Sequence, residues 1–174
     1  RTSNGTTNLA HLLVGSEGTL AYSERIQLHL ANIPGHKVLG VCHFPTFYAA
    51  MDSAQHIVKL GPSAVELVDR TMIELARDIP MFRDVIGQIV VGQPDALLLV
   101  EFSGDDLDTQ LQGLKQLQEL MSDLGFSGGV TEALNPGFQK EIWEVRKSGL
   151  NIMMSMRGDG KPISFIEDCA VRLE

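Results

Sequence analysis

The chain has 174 residues, enough for one sizeable domain, and its 44% hydrophobic and 21% charged residues argue for a folded globular protein against disorder. A formal net charge of −8 with no basic stripe excludes nucleic-acid binding, and it leaves any anionic substrate to be drawn in by local cations. Cys42 and Cys169 are the two cysteines; without C-x-x-C spacing they encode neither a zinc site nor an iron–sulfur cluster, and no apolar run approaches the ~20 residues of a membrane span.

In chain order, Arg1 to Asn8 is rich in Thr, Asn, Ser and Gly and reads as loop. Leu9 to Val14 suits a short helix or strand. The run Gly15-Ser16-Glu17-Gly18-Thr19-Leu20 follows, a composition suited to a tight turn whose backbone lies close to something polar. It is neither a phosphate loop nor a G-x-G-x-x-G fingerprint. Ile26, Leu28 and Leu30 alternate, predicting a strand that ends at Asn32-Ile33-Pro34.

Val38 to Phe44 is β-rich and stopped by Pro45, after which Thr46 can cap a helix. Phe47, Ala50, Met51, Ala54, Ile57 and Val58 give that helix one buried stripe, ending at Gly61-Pro62. Ala64 to Val68 alternates like a strand, and Thr71 to Ala76 suits a short helix closed before Pro80. Met81 to Pro94 has no firm period and reads as loop with room for a short helix. Ala96 to Phe102 is the clearest buried strand.

Asp105 or Asp106 can cap the next helix, whose stripe of Leu107, Leu111, Leu114, Leu117, Met121 and Leu124 is closed by Gly125. Phe126 to Leu134 reads as a strand with a bulge at Gly128-Gly129. Asn135-Pro136 opens a last helix with Phe138, Ile142, Val145, Gly149 and Ile152 on its packed face and Trp143, Arg146, Leu150 and Met153 on a flank. Gly158-Asp159-Gly160 makes a turn, and Pro162 to Ile166 returns as a strand. The pattern is α+β: a ferredoxin-like, split β-α-β antiparallel sheet with helices packed on one face.

Two stretches resemble a known family. Gly15-Ser16-Glu17-Gly18-Thr19-Leu20 with its following strand is similar to the end of the FAD-binding domain in FAD-linked oxidases of the vanillyl-alcohol oxidase type. The branch it most resembles holds the D-lactate, glycolate and D-2-hydroxyglutarate dehydrogenases. The resemblance implies that residues 1–34 are the end of an FAD-binding domain and that residues 35–174 are most of the substrate-binding cap domain. It implies FAD as cofactor, with Gly15, Ser16, Glu17, Gly18 and Thr19 lining the flavin site.

Ile142-Trp143-Glu144-Val145-Arg146 resembles the family's Trp-x-x-Arg helix, which implies that Arg146 binds the substrate carboxylate. Arginine's planar fork suits that task. Lys161 lies where hydroxyglutarate-type members place a substrate lysine, although Gly160-Lys161-Pro162 replaces the usual aromatic-flanked motif and Leu150 stands where some members use a hydroxyl. From the residues alone, Arg146 could equally bridge to Glu141, Glu144 or a neighbouring element, and Lys161 could be a solvated loop residue.

The implied activity is oxidation of a D-2-hydroxyacid to its 2-oxoacid by hydride transfer to flavin. The family's paired histidines and glutamate would lie outside this chain, so no catalytic base and no metal ligand is assigned; His11, His29, His36, His43 and His56 read as surface or packed residues. Without a pyrophosphate loop and a base, these residues alone are expected to be inactive. The electron acceptor is open. The run Val38 to Ala50 resembles that of long bacterial members, some of which carry an iron–sulfur cluster in a further domain. Two isolated thiols fit the reducing cytoplasm, with membrane association arising only through an acceptor. The rival reading is a ferredoxin-like module that binds a small anion or forms a homodimer through its sheet.

Overall fold

The computed structural model describes residues 7–154 together with Gly5, Gly158, Val171 and Arg172. They divide into two units, residues 1–33 and 34–174.

In the first unit Asn8 accepts the Ala10 N–H through its side chain (3.0 Å) at the start of a single helical turn, α1 (Ala10–Leu13). The glycine turn follows, and from Ala21 onward no regular structure forms. The strand expected at Ile26 to Leu30 is therefore not present. Alternating apolar residues make a strand only when its backbone finds a ladder partner and one face is covered. Among its described residues this unit has no other strand, and Ile26, Leu28 and Leu30 are all exposed.

The second unit runs β1 (His36–Phe44), α2 (Phe47–Ile57, extended by a 3-10 turn over Val58–Leu60), β2 (Ala64–Asp69), α3 (Arg70–Asp78), α4 (Pro80–Ile89), β3 (Ala96–Gly104), α5 (Leu107–Asp123), β4 (Val130–Ala133), α6 (Pro136–Lys147) and α7 (Gly149–Met154). Four helices start on side-chain caps. Thr46, Asp69, Asp106 and Asn135 accept the backbone N–H groups of Ala49, Met72, Thr109 and Phe138 at 3.1, 2.8, 3.0 and 3.1 Å.

Several boundaries differ from the sequence reading. α4 occupies most of the stretch read as loop, with Pro80 in its first turn and Phe82, Val85, Ile86 and Ile89 buried at helical spacing. Only Val130–Ala133 of the strand read over 126–134 is paired. Phe126 to Gly129 is a turn instead of a bulge, closed by the Gly129 N–H to the Phe126 carbonyl at 3.0 Å. The last helix breaks at Ser148, and Gly149 begins α7 packed under Met72, whose Sδ and Cε would lie 3.2 Å from any Cβ placed there. Phe47, Met51 and Val58, read as part of the α2 stripe, are exposed; its buried face is Ala50, Ser53, Ala54 and Ile57.

The four strands lie in the order β2-β3-β1-β4, every neighbouring pair antiparallel. This is the α+β, split β-α-β antiparallel arrangement that the sequence predicts, except that helices cover both faces of the sheet instead of one, because β1 and β3 are apolar on both sides. The crossover helices α2 and α5 share one face with Val38, Cys42, Phe44, Leu98, Val100 and Phe102. Contact there is close: a Cβ on Gly40 would stand 2.8 Å from Leu117 and 2.9 Å from Leu114. The opposite face is covered as well. Leu39, Val41, Leu97 and Leu99 point to it and pack with residues of α3, α4, α6 and α7. The alternation of β1 and β3 thus feeds two apolar layers, which is why Ala96 to Val100 reads as an unbroken apolar run.

His43 is a packed histidine. Its Nδ1 lies 3.0 Å from the Gly129 carbonyl and its Nε2 2.8 Å from that of Ile89, tying the end of β1 to two turns.

Candidate functional site

On the face covered by α6 the apolar layer ends at Leu39 and Leu99, and the next inward-facing positions are polar. The register sets Lys37, Glu101, Ala64 and Glu66 on that same side of β1, β3 and β2. Above them α6 presents Gln139, Trp143 and Arg146 at four- and three-residue spacing, one stripe of the helix.

Each member of the stripe reaches a different strand. Gln139 donates through its amide nitrogen to the carbonyls of Lys37 on β1 (3.0 Å) and Ala133 on β4 (2.8 Å). Trp143 donates its indole N–H to Oε2 of Glu101 on β3 at 3.1 Å. Arg146 donates Nε and Nη2 to Oε2 of Glu66 on β2 at 3.1 and 2.9 Å. The strands stand in the order β1, β3, β2, so the helix crosses the sheet while making one polar contact per strand. Seven residues of helix rise about 10 Å, close to the ~10 Å spanned by two strand spacings.

Glu101 is the hub of this layer. Only 7% exposed, its carboxylate faces the Lys37 ammonium at 2.9 Å and the Trp143 indole at 3.1 Å, while the Ser63 hydroxyl donates to its backbone carbonyl at 2.9 Å. A buried carboxylate needs such compensation, and here it has a cation and a neutral donor.

Between the starts of β1 and β2 and the flank of α6 lies a cavity of about 820 Å³. Leu107, Leu134 and Pro136 form its apolar wall, Lys37, Lys140 and Lys147 bring positive charge, and Glu66 and Glu101 bring negative. Its walls therefore carry an excess of cations in a chain of net charge −8. The Arg146 guanidinium is connected to the cavity through Glu66.

Of the residues singled out from sequence, Arg146 stands beside the cavity without lining it, and its partner is Glu66 of a neighbouring strand; Glu144 pairs with Lys147 instead, at 3.1 Å. Lys161, the strand read over Pro162 to Ile166, and Cys169 lie outside the described residues. Sequence reasoning does not find Lys37, Ser63, Glu66 or Glu101. Glu101 carries a signal, as the one charge in the otherwise apolar run Ala96 to Phe102. Lys37 and Glu66 carry none, because a charge near a strand end reads as solvated until the register shows its neighbours.

The sequence pattern of the FAD linked oxidases, C-terminal domain, matches residues 33–174. The chain belongs to this family.

Within the FAD linked oxidases, similar proteins include the D-2-hydroxyglutarate dehydrogenase of Pantoea ananatis, 31% identical over 95% of this chain and 17% of that protein. That of Escherichia coli is 30% identical over 94% of this chain and 17% of the relative. The mitochondrial D-lactate dehydrogenase [cytochrome] of Arabidopsis thaliana is 34% identical over 82% of this chain and 24% of its own length. The chain thus spans about a sixth of the hydroxyglutarate enzymes and a quarter of the plant enzyme. Among solved structures, alkyldihydroxyacetonephosphate synthase shares the fold, with a TM-score of 0.54 at 17% identity over 84% of this chain and 29% of that one. Among the described residues no helix is long and apolar enough to cross a membrane.

The oxidase family implies a flavin, and the first unit offers one place to test the fit. Gly15, Glu17 and Gly18 all have positive φ (83°, 49° and 78°), and a Cβ on either glycine would meet nothing within 4 Å. The Ser16 carbonyl is occupied by Thr19, through N–H at 2.9 Å and hydroxyl at 2.6 Å, which holds the turn in shape. Its main chain is open to a flat polar group. The Glu17 carboxylate would repel a phosphate, so the turn is not suited to hold the pyrophosphate.

Proposed function

We propose that the whole protein is an FAD-dependent oxidoreductase that oxidises a D-2-hydroxyacid of the lactate, glycolate or 2-hydroxyglutarate type to its 2-oxoacid. Residues 1–34 then close its FAD-binding domain and residues 35–174 belong to its cap, substrate-binding domain. The observation that carries this reading is Arg146, the arginine of a Trp-x-x-Arg helix in a chain of the FAD linked oxidase family, paired with Glu66 beside the cavity that Glu66 lines.

Arg146 would grip the substrate carboxylate with two parallel N–H groups, fixing the direction in which the C2–H bond points. Lys161 would hold a second anionic oxygen. The turn Gly15-Ser16-Glu17-Gly18-Thr19 would border the flavin ring, which when bound supplies the hydride acceptor. Trp143, three residues before Arg146 on the same stripe of α6, would shelter one side of the carboxylate pair from water. Shelter matters, because an exposed ion pair contributes about 0–1 kcal/mol, whereas hydrogen bonds to a shielded charge contribute about 1.5–3.

The test is anaerobic addition of D-2-hydroxyglutarate, D-lactate and glycolate, each separately, to the full-length protein. One of them bleaches the flavin's visible absorption band, while L-2-hydroxyglutarate and L-lactate do not. Full-length protein without flavin absorbance, or unresponsive to all three acids, overturns the reading.

A further inference from the structure

We infer that Glu66 is the positioning residue for Arg146, holding the guanidinium by one edge so that the other stays presented to an incoming carboxylate. The inference rests on Arg146 being the substrate-carboxylate ligand.

Arg146 pairs with Glu66 through Nε and Nη2, both directed at the same oxygen, Oε2, at 3.1 and 2.9 Å. Those two nitrogens line one long edge of the planar fork. The end made by Nη1 and Nη2 is a second edge of the same donor spacing, and among the described residues Nη1 has no hydrogen-bond partner. A carboxylate arriving there can form the paired contact that arginine makes best. Glu66 thus occupies the edge that a substrate does not need.

Position gives the contact its purpose. Both side chains are about 40% exposed, so the bridge adds little to fold stability. What it does is choose one conformer of a long side chain. Gln139 and Trp143 fix the path of α6 over β1 and β3, and Glu66 is the one hydrogen-bond partner of the guanidinium among the described residues, holding it over β2. A residue that holds its partner in the binding-competent conformer improves apparent affinity by the fraction of time it does so. Glu66 also lines the cavity, so its negative charge repels an anionic ligand from the edge of the guanidinium that it occupies.

The test uses steady-state kinetics of the full-length protein on whichever of D-2-hydroxyglutarate, D-lactate and glycolate it oxidises. Arg146→Ala raises KM at least about a hundredfold, losing a two-point charged contact. Glu66→Ala raises KM about three- to tenfold with the change falling on KM rather than kcat, and Glu66→Gln, which keeps an acceptor oxygen, lies between it and wild type. In an Arg146→Ala background Glu66→Ala has no further effect, because there is nothing left to position. If Arg146→Ala raises KM but Glu66→Ala leaves it unchanged, lowers it, or raises it equally in both backgrounds, the positioning role is overturned while Arg146 keeps its own. If Arg146→Ala leaves KM unchanged, the reading beneath both roles fails.

Discussion

The indole N–H of Trp143 donates to Oε2 of Glu101 across 3.1 Å and so fastens α6 to an inner strand of the sheet. The contact places an aromatic edge beside a carboxylate that is 7% exposed. Trp143→Phe keeps the ring's apolar body and removes the donor, leaving the Glu101 carboxylate with Lys37. A loss of about 1–2 kcal/mol is expected in urea unfolding followed by circular dichroism. An unchanged midpoint would show that the bond has no energetic weight.

Two glycines should respond to alanine in opposite directions. Gly40 lies under α5, and a methyl added to it would stand 2.8 Å from Leu117 and 2.9 Å from Leu114, so Gly40→Ala must push the helix outward. The expected loss is about 1–3 kcal/mol. Gly87 is exposed within α4, and a methyl there meets nothing within 4 Å. Gly87→Ala should add about 0.5–1 kcal/mol by restricting the unfolded chain and favouring helix. Paired thermal melts check both signs together.

Cys42 is fully buried between β1 and the α2–α5 layer, and burial pushes its thiol up to about 12. A raised folded-state value means that the neutral thiol is the stable form inside. The folded state therefore keeps this contribution below the thiol's ordinary value of 9.0 and loses it as pH climbs toward 12. Across that window wild type should lose stability relative to Cys42→Ala, with a limiting slope of about 1.4 kcal/mol per pH unit. In the native state at mildly alkaline pH, iodoacetamide should leave Cys42 unmodified while labelling it readily in urea, as read by peptide mass mapping. Rapid native labelling would contradict the burial.

Much of this architecture is legible because local signals agree with tertiary ones. Thr46, Asp106 and Asn135 mark helix starts, Gly125 marks an end, and the apolar run from Ala96 can only be a strand covered on both faces. α4 escapes a reading by period because Met81, Gly87 and Val91 blur its stripe, although Phe82, Val85, Ile86 and Ile89 keep the helical spacing. The segment from Ile26 to Leu30 misleads for the opposite reason: its alternation is real, but a strand is a property of two segments and its sequence supplies one. In the site, Arg146 can be found from its motif. Glu66 and Lys37 cannot, since their meaning comes from the register that sets them beside Glu101 and beneath α6.

The double hydrogen bond of Gln139 has a consequence at a distance. That side chain rivets the first turns of α6 to the seam between β1 and β4, and the helix behaves as a stiff lever from there to Arg146. A small tilt introduced at the pivot, as by Gln139→Leu, is magnified along the arm and swings the guanidinium away from β2, although Gln139 itself stays two turns from it. Mutations that touch no ligand could in this way retune the grip on one.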